Sequence, residues 1–295
     1  MDDKHAYLIL AHANPNQVRT LLKMTDDPRN DIYLHVDSRA GFGYDEFREC
    51  CRKSSVHFIE PRISIHWGGF SILKAELALL KASVPGNYMY YHLLSGMDLP
   101  IKSQDEIHRF FSENRGKEFL NLWKIKGQTL SRFSYYTPFP EGGRFFLTNY
   151  LNNFVKGLQI LVGYKINRDV EFHYGSQWFS ITHGLAEYAV GQEEWLTRTF
   201  RHTSTCDEVF MATLAFRSPY RDNIFDNTEY TGNSCFDNTS NMRFIDWTRG
   251  KSVRHPWVFT SADYDLLMSV PHFWARKFDE RVDSGIIDRI AKELR

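Results

Sequence analysis

The sequence predicts an α/β protein built on a parallel sheet. Short apolar runs alternate with segments of helical period, the apolar runs end in polar residues, and 295 residues at 42% hydrophobic content suffice for one large core or two modest ones. In chain order, AYLILAH (6–12) reads as a strand, NQVRTLLKM (16–24) as a helix and DIYLHVD (31–37) as a second strand, which together open a βαβ unit. SVHFIE (55–60), SILKAELALLKA (71–82) and YMYYHLLSG (88–96) repeat the pattern. Parallel strands joined by crossover helices place their carboxyl ends along one edge, so His12, Asp37, His66 and Asp98 are expected to face one crevice, the usual place for a nucleotide. No internal repeat, low-complexity tract or linker interrupts the chain. A single domain over 1–295 is therefore expected, with a Rossmann-like nucleotide-binding half at about 5–120 and a less regular acceptor and catalytic half at about 121–295.

Charge argues against whole classes of partner. Lys plus Arg equals Asp plus Glu at 36 each, so no global field favours nucleic acid or anionic lipid, and any such contact must be local. Of the four cysteines, Cys50 and Cys51 are adjacent, leaving Cys206 and Cys235 as the separate pair; this is not a disulfide framework, and a reducing compartment is the simpler expectation. The N-terminal MDDKHAYLILAHANPN is too polar for a secretory or spanning segment, and no later run reaches membrane length. The expectation is a cytoplasmic enzyme, free or attached peripherally to the inner face of the membrane.

Neither a G-x-G-x-x-G turn nor a Walker loop is present. His66-Trp67-Gly68-Gly69-Phe70-Ser71 is the Gly-rich turn that leads into a strong helix, with Ser71 as the expected N-cap and Trp67 either a wall of the donor site or a core residue. Asp263-Tyr264-Asp265 has the Asp-x-Asp spacing of a metal site, but it falls in the first turn of a predicted helix, where acids suit the helix dipole. After DIYLHVD the same spacing gives Asp37-Ser38-Arg39, a cation in place of the second acid, so no metal is expected. Asp207-Glu208 precedes the apolar helical segment VFMATLAF and reads either as a capping acid or as a general base.

LSGMDLPIKS (94–103), GSQWFSIT (175–182), CDEVFMATL (206–214), HPWVF (255–259) and ARKFD (275–279), in this order and spacing, resemble the core-2/I-branching glycosyltransferases and the related peptide O-xylosyltransferases of glycosyltransferase family 14. The resemblance implies a GT-A-like fold and an inverting, metal-independent transfer from a UDP-sugar to a glycan hydroxyl, with no cofactor. It makes Glu208 the catalytic base, with Met211 where the family has Trp, and sets Asp207 among the donor-sugar and acceptor contacts. Lys277 and Arg254 would hold the diphosphate, with Arg276 as their neighbour. Leu10, His12 and Asp37 would contact the nucleotide. Trp67, Asp98 and Trp247 would flank the donor sugar, with Asp98 alternatively capping the LPIKS turn, and Arg132 falls at an acceptor position. Asn121 stands where an acid is expected, which implies a different acceptor. UDP-GlcNAc is the expected donor and UDP-xylose the alternative, because WGG and SQWF look more like the xylosyltransferase branch; a bacterial surface polysaccharide, lipid-linked or free, is the expected acceptor. Animal members carry a membrane anchor and luminal disulfides, and neither is evident here. A non-catalytic sugar- or nucleotide-binding module is the alternative from another class.

The segment 145–168, FFLTNYLNNFVKGLQILVGYKINR, has no counterpart placed in the animal enzymes. Leu147, Leu151, Phe154, Leu158 and Leu161 form an apolar stripe, widened by Phe146, Tyr150, Val155 and Val162, with Arg144, Lys156, Lys165 and Arg168 as a basic element. A helix docked on the protein's own core is expected; an interfacial membrane helix is the alternative.

Overall fold

The computed structural model describes residues 3–142, 145–231, 238–249 and 255–294. The strands are β1 (His5–Ala11), β2 (Asn30–Val36), β3 (Ser55–Phe58), β4 (Tyr90–Ser95), β5 (Asp98–Pro100), β6 (Leu122–Trp123), β7 (Tyr174–Gly175), β8 (Ser180–Thr182), β9 (Arg243–Ile245) and β10 (Trp274–Arg276). The helices are α1 (Pro15–Met24), α2 (Phe70–Ser83), α3 (Gln104–Glu113), α4 (Gly127–Ser134), α5 (Phe146–Leu161), α6 (His183–Gly191), α7 (Glu193–Phe200), α8 (Phe210–Arg217), α9 (Tyr264–Ser269) and α10 (Ser284–Glu293).

The main sheet has the order β3-β2-β1-β4-β8, with its first four strands parallel and β8 antiparallel to β4. Strand order reverses direction at β1, between β2 and β4, and this switch point opens a crevice beyond the carboxyl ends of the strands. Alternation along β1 divides the core. Tyr7, Ile9 and Ala11 pack with Val18 and Leu21 of α1 and with Ile286 and Ile290 of α10, whereas Ala6, Leu8 and Leu10 pack with Leu73, Leu77 and Leu80 of α2 and with α6 and α8. Both faces of the sheet are therefore covered, which is why its strands read as continuous apolar runs.

A second sheet, β5-β10-β9, sets Arg276 opposite Asp98 in register. Arg243 on β9 ties this sheet to the first. It is buried without an ion-pair partner among the described residues, donates to the backbone oxygens of Leu93 and Phe179 and to Ser180 Oγ, and lies 4.6 Å over the Trp274 ring. Burial lowers its pKa to about 9.

Two expectations need correction. Ser71 is not the N-cap of α2: Gly69 holds that position, and the Ser71 amide and hydroxyl both donate to the Glu141 carboxylate, at 2.8 and 2.6 Å. A distant acid satisfies the orphan donor, and a Cβ at Gly69 would collide with that carboxylate. Nor does α5 dock its apolar stripe on the core, because the side chains from Phe146 to Leu161 that form the stripe are largely exposed. Periodicity shows that a helix has an apolar face, but not on which side the protein lies.

Cys50, Cys51 and Cys206 are free thiols, and Cys235 lies outside the described residues. Among the described residues no helix is long and apolar enough to cross a membrane.

Candidate functional site

Cations gather at the carboxyl edge of the sheet. Arg276, at the end of β10, donates to Asp98 at 2.6 Å and lies 4.6 Å over the Trp178 ring. Asp98 is buried; its other oxygen accepts from the Ser95 amide at 2.8 Å, so the carboxylate both closes the Ser95–Asp98 turn and fixes the guanidinium. Lys277 follows directly and makes no ion pair among the described residues; burial first, then the charge of Arg276, lowers its pKa. At the end of β1, the surrounding protein, Arg276 and Lys277 hold His12 below its usual pKa while Asp37 pulls it upward. These adjacent cations oppose one another with Asp98 as the ion-pair partner of Arg276, a balance that an incoming anion would improve.

Asp37 is buried at the end of β2, and Arg39 folds back on it, with its side chain at 2.9 Å and its own amide at 2.9 Å. Leu10 lies buried in β1, its carbonyl accepting from Gly96 across the switch point at 2.8 Å. Trp247 follows β9 and is exposed. Arg254 lies outside the described residues.

A group of acids, Glu76, Asp207 and Glu208, gathers around the turn before α8. The 3-10 turn Cys206–Glu208 precedes α8 and is launched by Thr205, a β-branched residue in the left-handed region with φ 56°. Such a conformation costs on the order of 1–3 kcal/mol and persists only when its surroundings hold it. Here the Thr205 amide donates to the Gly68 carbonyl at 2.8 Å, and Arg132 of α4 donates to the Thr205 hydroxyl at 3.2 Å. This fastens the turn to the Trp67-Gly68-Gly69 loop. Trp67 is 64% exposed, so it stands outside the core.

Glu208 Oε2 accepts from the Tyr174 hydroxyl at 3.2 Å and lies 3.6 Å from Arg132 Nη1. Burial raises its pKa, while Arg132 and then Tyr174 pull it down. Its neighbour Asp207 has an oxygen sealed from solvent without a hydrogen-bond partner among the described residues; burial and the charge of Glu208 push its pKa to about 7. Glu76 of α2 is fully buried, accepts from Gln177 at 2.8 Å, and is raised well above the usual range by burial and then by Asp207. Within this acidic group Arg132 and Tyr174 favour Glu208 as the ionised member. Conversely, Arg132→Ala is expected to raise the Glu208 pKa and move the acidic limb of the kcat/KM–pH profile to higher pH. An unmoved limb would remove Arg132 from control of this carboxylate.

Gln177 and Trp178 join the two groups: the first holds Glu76 among the acids, and the second lies under Arg276. Asn121 precedes β6, is buried, and donates to Ser240 Oγ at 3.2 Å; its own side-chain oxygen has no partner among the described residues. Its backbone carbonyl crosses Gly175 so closely that a Cβ there would collide with it, and β7 thereby presents Tyr174 to Glu208.

Sequence reasoning did not find Tyr174, Glu76, Glu141 or Arg243. The GSQWF segment signalled Gln177 and Trp178 only as a motif. Asp263 is occupied structurally: it accepts from Arg249, from the Thr260 amide at 2.9 Å and from Trp257 Nε1 at 3.2 Å, while Asp265 is exposed on α9.

Xylosyltransferase sqv-6 of Caenorhabditis briggsae is 27% identical over 302 aligned positions, covering 93% of this chain and 34% of the relative. Xylosyltransferase 2 of Rattus norvegicus is 27% identical, covering 96% of this chain and 33% of the relative. The chain thus spans about a third of the length of the curated relatives it matches. Among solved structures, apo mouse Xyloside xylosyltransferase 1 aligns with 92% of this chain and 97% of its own at 10% identity, with a TM-score of 0.38. Residues 5–266 match the family described as Core-2/I-Branching enzyme, which takes in the main sheet, the Glu208 turn and Trp247 and stops short of Arg276 and Lys277: the chain belongs to the Core-2/I-branching enzyme family of glycosyltransferases.

Proposed function

We propose that this chain transfers a sugar from a UDP-sugar to a hydroxyl of a glycan acceptor by a single inverting displacement that needs no metal. Glu208 takes the proton of the acceptor hydroxyl, and the freed oxygen attacks the anomeric carbon from the face opposite the diphosphate. The bond from that carbon to the diphosphate oxygen breaks, its electron pair leaving with UDP beside Arg276 and Lys277. Arg254 has the same proposed role on the strength of the family resemblance. Asp37, Leu10 and His12 are assigned to the nucleotide, and Trp67, Asp98, Asp207, Trp247, Arg132 and Asn121 to the sugar and acceptor sides. Asp98 would act there through Arg276, since both of its oxygens are engaged.

The observation that supports this reading best is that the neighbours Gln177 and Trp178 touch both groups, Gln177 bonding Glu76 beside the Arg132-paired Glu208 turn and Trp178 lying under Arg276 next to Lys277. At an effective dielectric near 20, a charge pair about 4 Å apart is worth on the order of 4 kcal/mol, so two such cations could supply much of what a bound metal gives a leaving diphosphate. UDP-GlcNAc is the first donor proposed. UDP-xylose is the second reading, favoured because the similar worm and rat proteins are named xylosyltransferases. The acceptor is proposed to be a surface-polysaccharide glycan.

UDP release from a panel of UDP-sugars, with and without EDTA, tests both donor and metal. Release is expected to persist in excess chelator. Loss of activity that Mn or Mg restores would overturn the metal-independent step, and donor binding without any release would favour a non-catalytic module.

A further inference from the structure

Helix α5 carries its polarity inside out. The side chains that fasten it to the protein are polar and lie on one face at helical spacing: Asn152 holds the Phe139 amide and carbonyl at 3.0 Å each, Lys156 reaches Ser131 at 2.9 Å, and the buried Gln159 holds the Tyr136 amide and carbonyl at 2.8 and 2.9 Å. The large apolar side chains point away. Phe146 is 87% and Leu161 81% exposed, and Leu147, Tyr150, Phe154 and Leu158 form an exposed stripe between them. At 1.5 Å per residue the helix presents this stripe over about 24 Å, more apolar surface in one place than a soluble monomer usually leaves uncovered.

We infer that α5 is a docking surface for an anionic lipid bilayer, lying in the plane of the interface with its apolar stripe among the acyl chains. The charge around the stripe selects this occupant. No acid occurs between Glu141 and Asp169, Glu141 is engaged at the start of α2, and Lys165 and Arg168 stand exposed just beyond the helix. A basic rim beside an apolar face complements anionic headgroups. A second copy of the chain would instead bring like-charged rims together without acids in the segment to answer them. The surface also adjoins the Glu208 group, because α4 carries Ser131, the partner of Lys156, beside Arg132, the partner of Glu208. A glycan presented from the bilayer would therefore approach from the side of the base.

The inference stands apart from the sugar-transfer reading, because vesicle binding is scored without donor or acceptor. Co-sedimentation with vesicles containing phosphatidylglycerol is expected at low salt, with little sedimentation on pure phosphatidylcholine. Phe146→Glu combined with Leu161→Glu is expected to weaken binding by roughly ten-fold or more, from the apolar burial lost. Both positions are so exposed that thermal unfolding should not change. Lys165→Glu with Arg168→Glu, a pair that leaves the stripe intact, is expected to weaken binding to the anionic vesicles selectively. No sedimentation with either vesicle, equal binding to both, or binding unaffected by the paired substitutions would overturn the inference. So would a lipid-free homodimer that Phe146→Glu with Leu161→Glu dissociates.

Discussion

Glu208→Gln is expected to lower kcat by roughly 10²-fold or more, the usual scale of general-base catalysis, while UDP affinity stays within a few-fold. The substitution keeps the shape of the side chain and leaves an amide oxygen to accept from Tyr174 (3.2 Å in the native protein), so the turn at Thr205 should hold. What disappears is the oxygen that can take a proton. Asp207 is a poor substitute, since one of its oxygens is sealed from solvent. Turnover near the native rate would remove Glu208 from the mechanism, whereas a loss of UDP binding equal to the loss of rate would assign it to donor binding.

Lys277→Ala is expected to weaken UDP binding and lower the rate by roughly ten- to a hundred-fold, the range of a lost charge-assisted hydrogen bond, and to leave affinity for uridine nearly unchanged. Lys277 is the cleaner test of diphosphate recognition. Removing Arg276 would also strip Asp98 of its ion-pair partner and leave a buried carboxylate with one oxygen unanswered, so a folding defect would be mixed with the binding defect. Arg254→Ala is expected to parallel Lys277→Ala. If Lys277→Ala lowers thermal stability and keeps its UDP affinity, the residue is structural and the diphosphate has another partner.

The N-terminal half was legible because its signals are local. Apolar runs with polar ends marked β1, β2, β3 and β4 and brought His12 and Asp37 to the sheet edge. Interactions between distant segments were not legible. Glu141 completes the start of α2 from 70 residues away, Tyr174 reaches Glu208 across 34, and Arg243 joins Ser180 across 63. No local periodicity encodes such pairings, because each depends on how the halves of the chain pack. Arg132 shows the boundary between the two cases. The family resemblance marked it as an acceptor residue, and its placement adds electrostatic control of Glu208, which the motif alone does not carry. Met211, which stands where the family has Trp, is buried in the core on α8, so that position contributes packing rather than an exposed wall.

A single displacement driven by Glu208 is tested most directly by the anomeric configuration of the first product. Donor hydrolysis supplies that product with water as the acceptor, so the natural glycan need not be identified first. With an α-linked UDP-sugar in deuterated buffer, time-resolved proton NMR is expected to show the β-anomer of the free sugar first, before mutarotation, with the Glu208→Gln protein forming it far more slowly. An α-anomer as the first product would mean retention, and would contradict a one-step attack opposite the diphosphate.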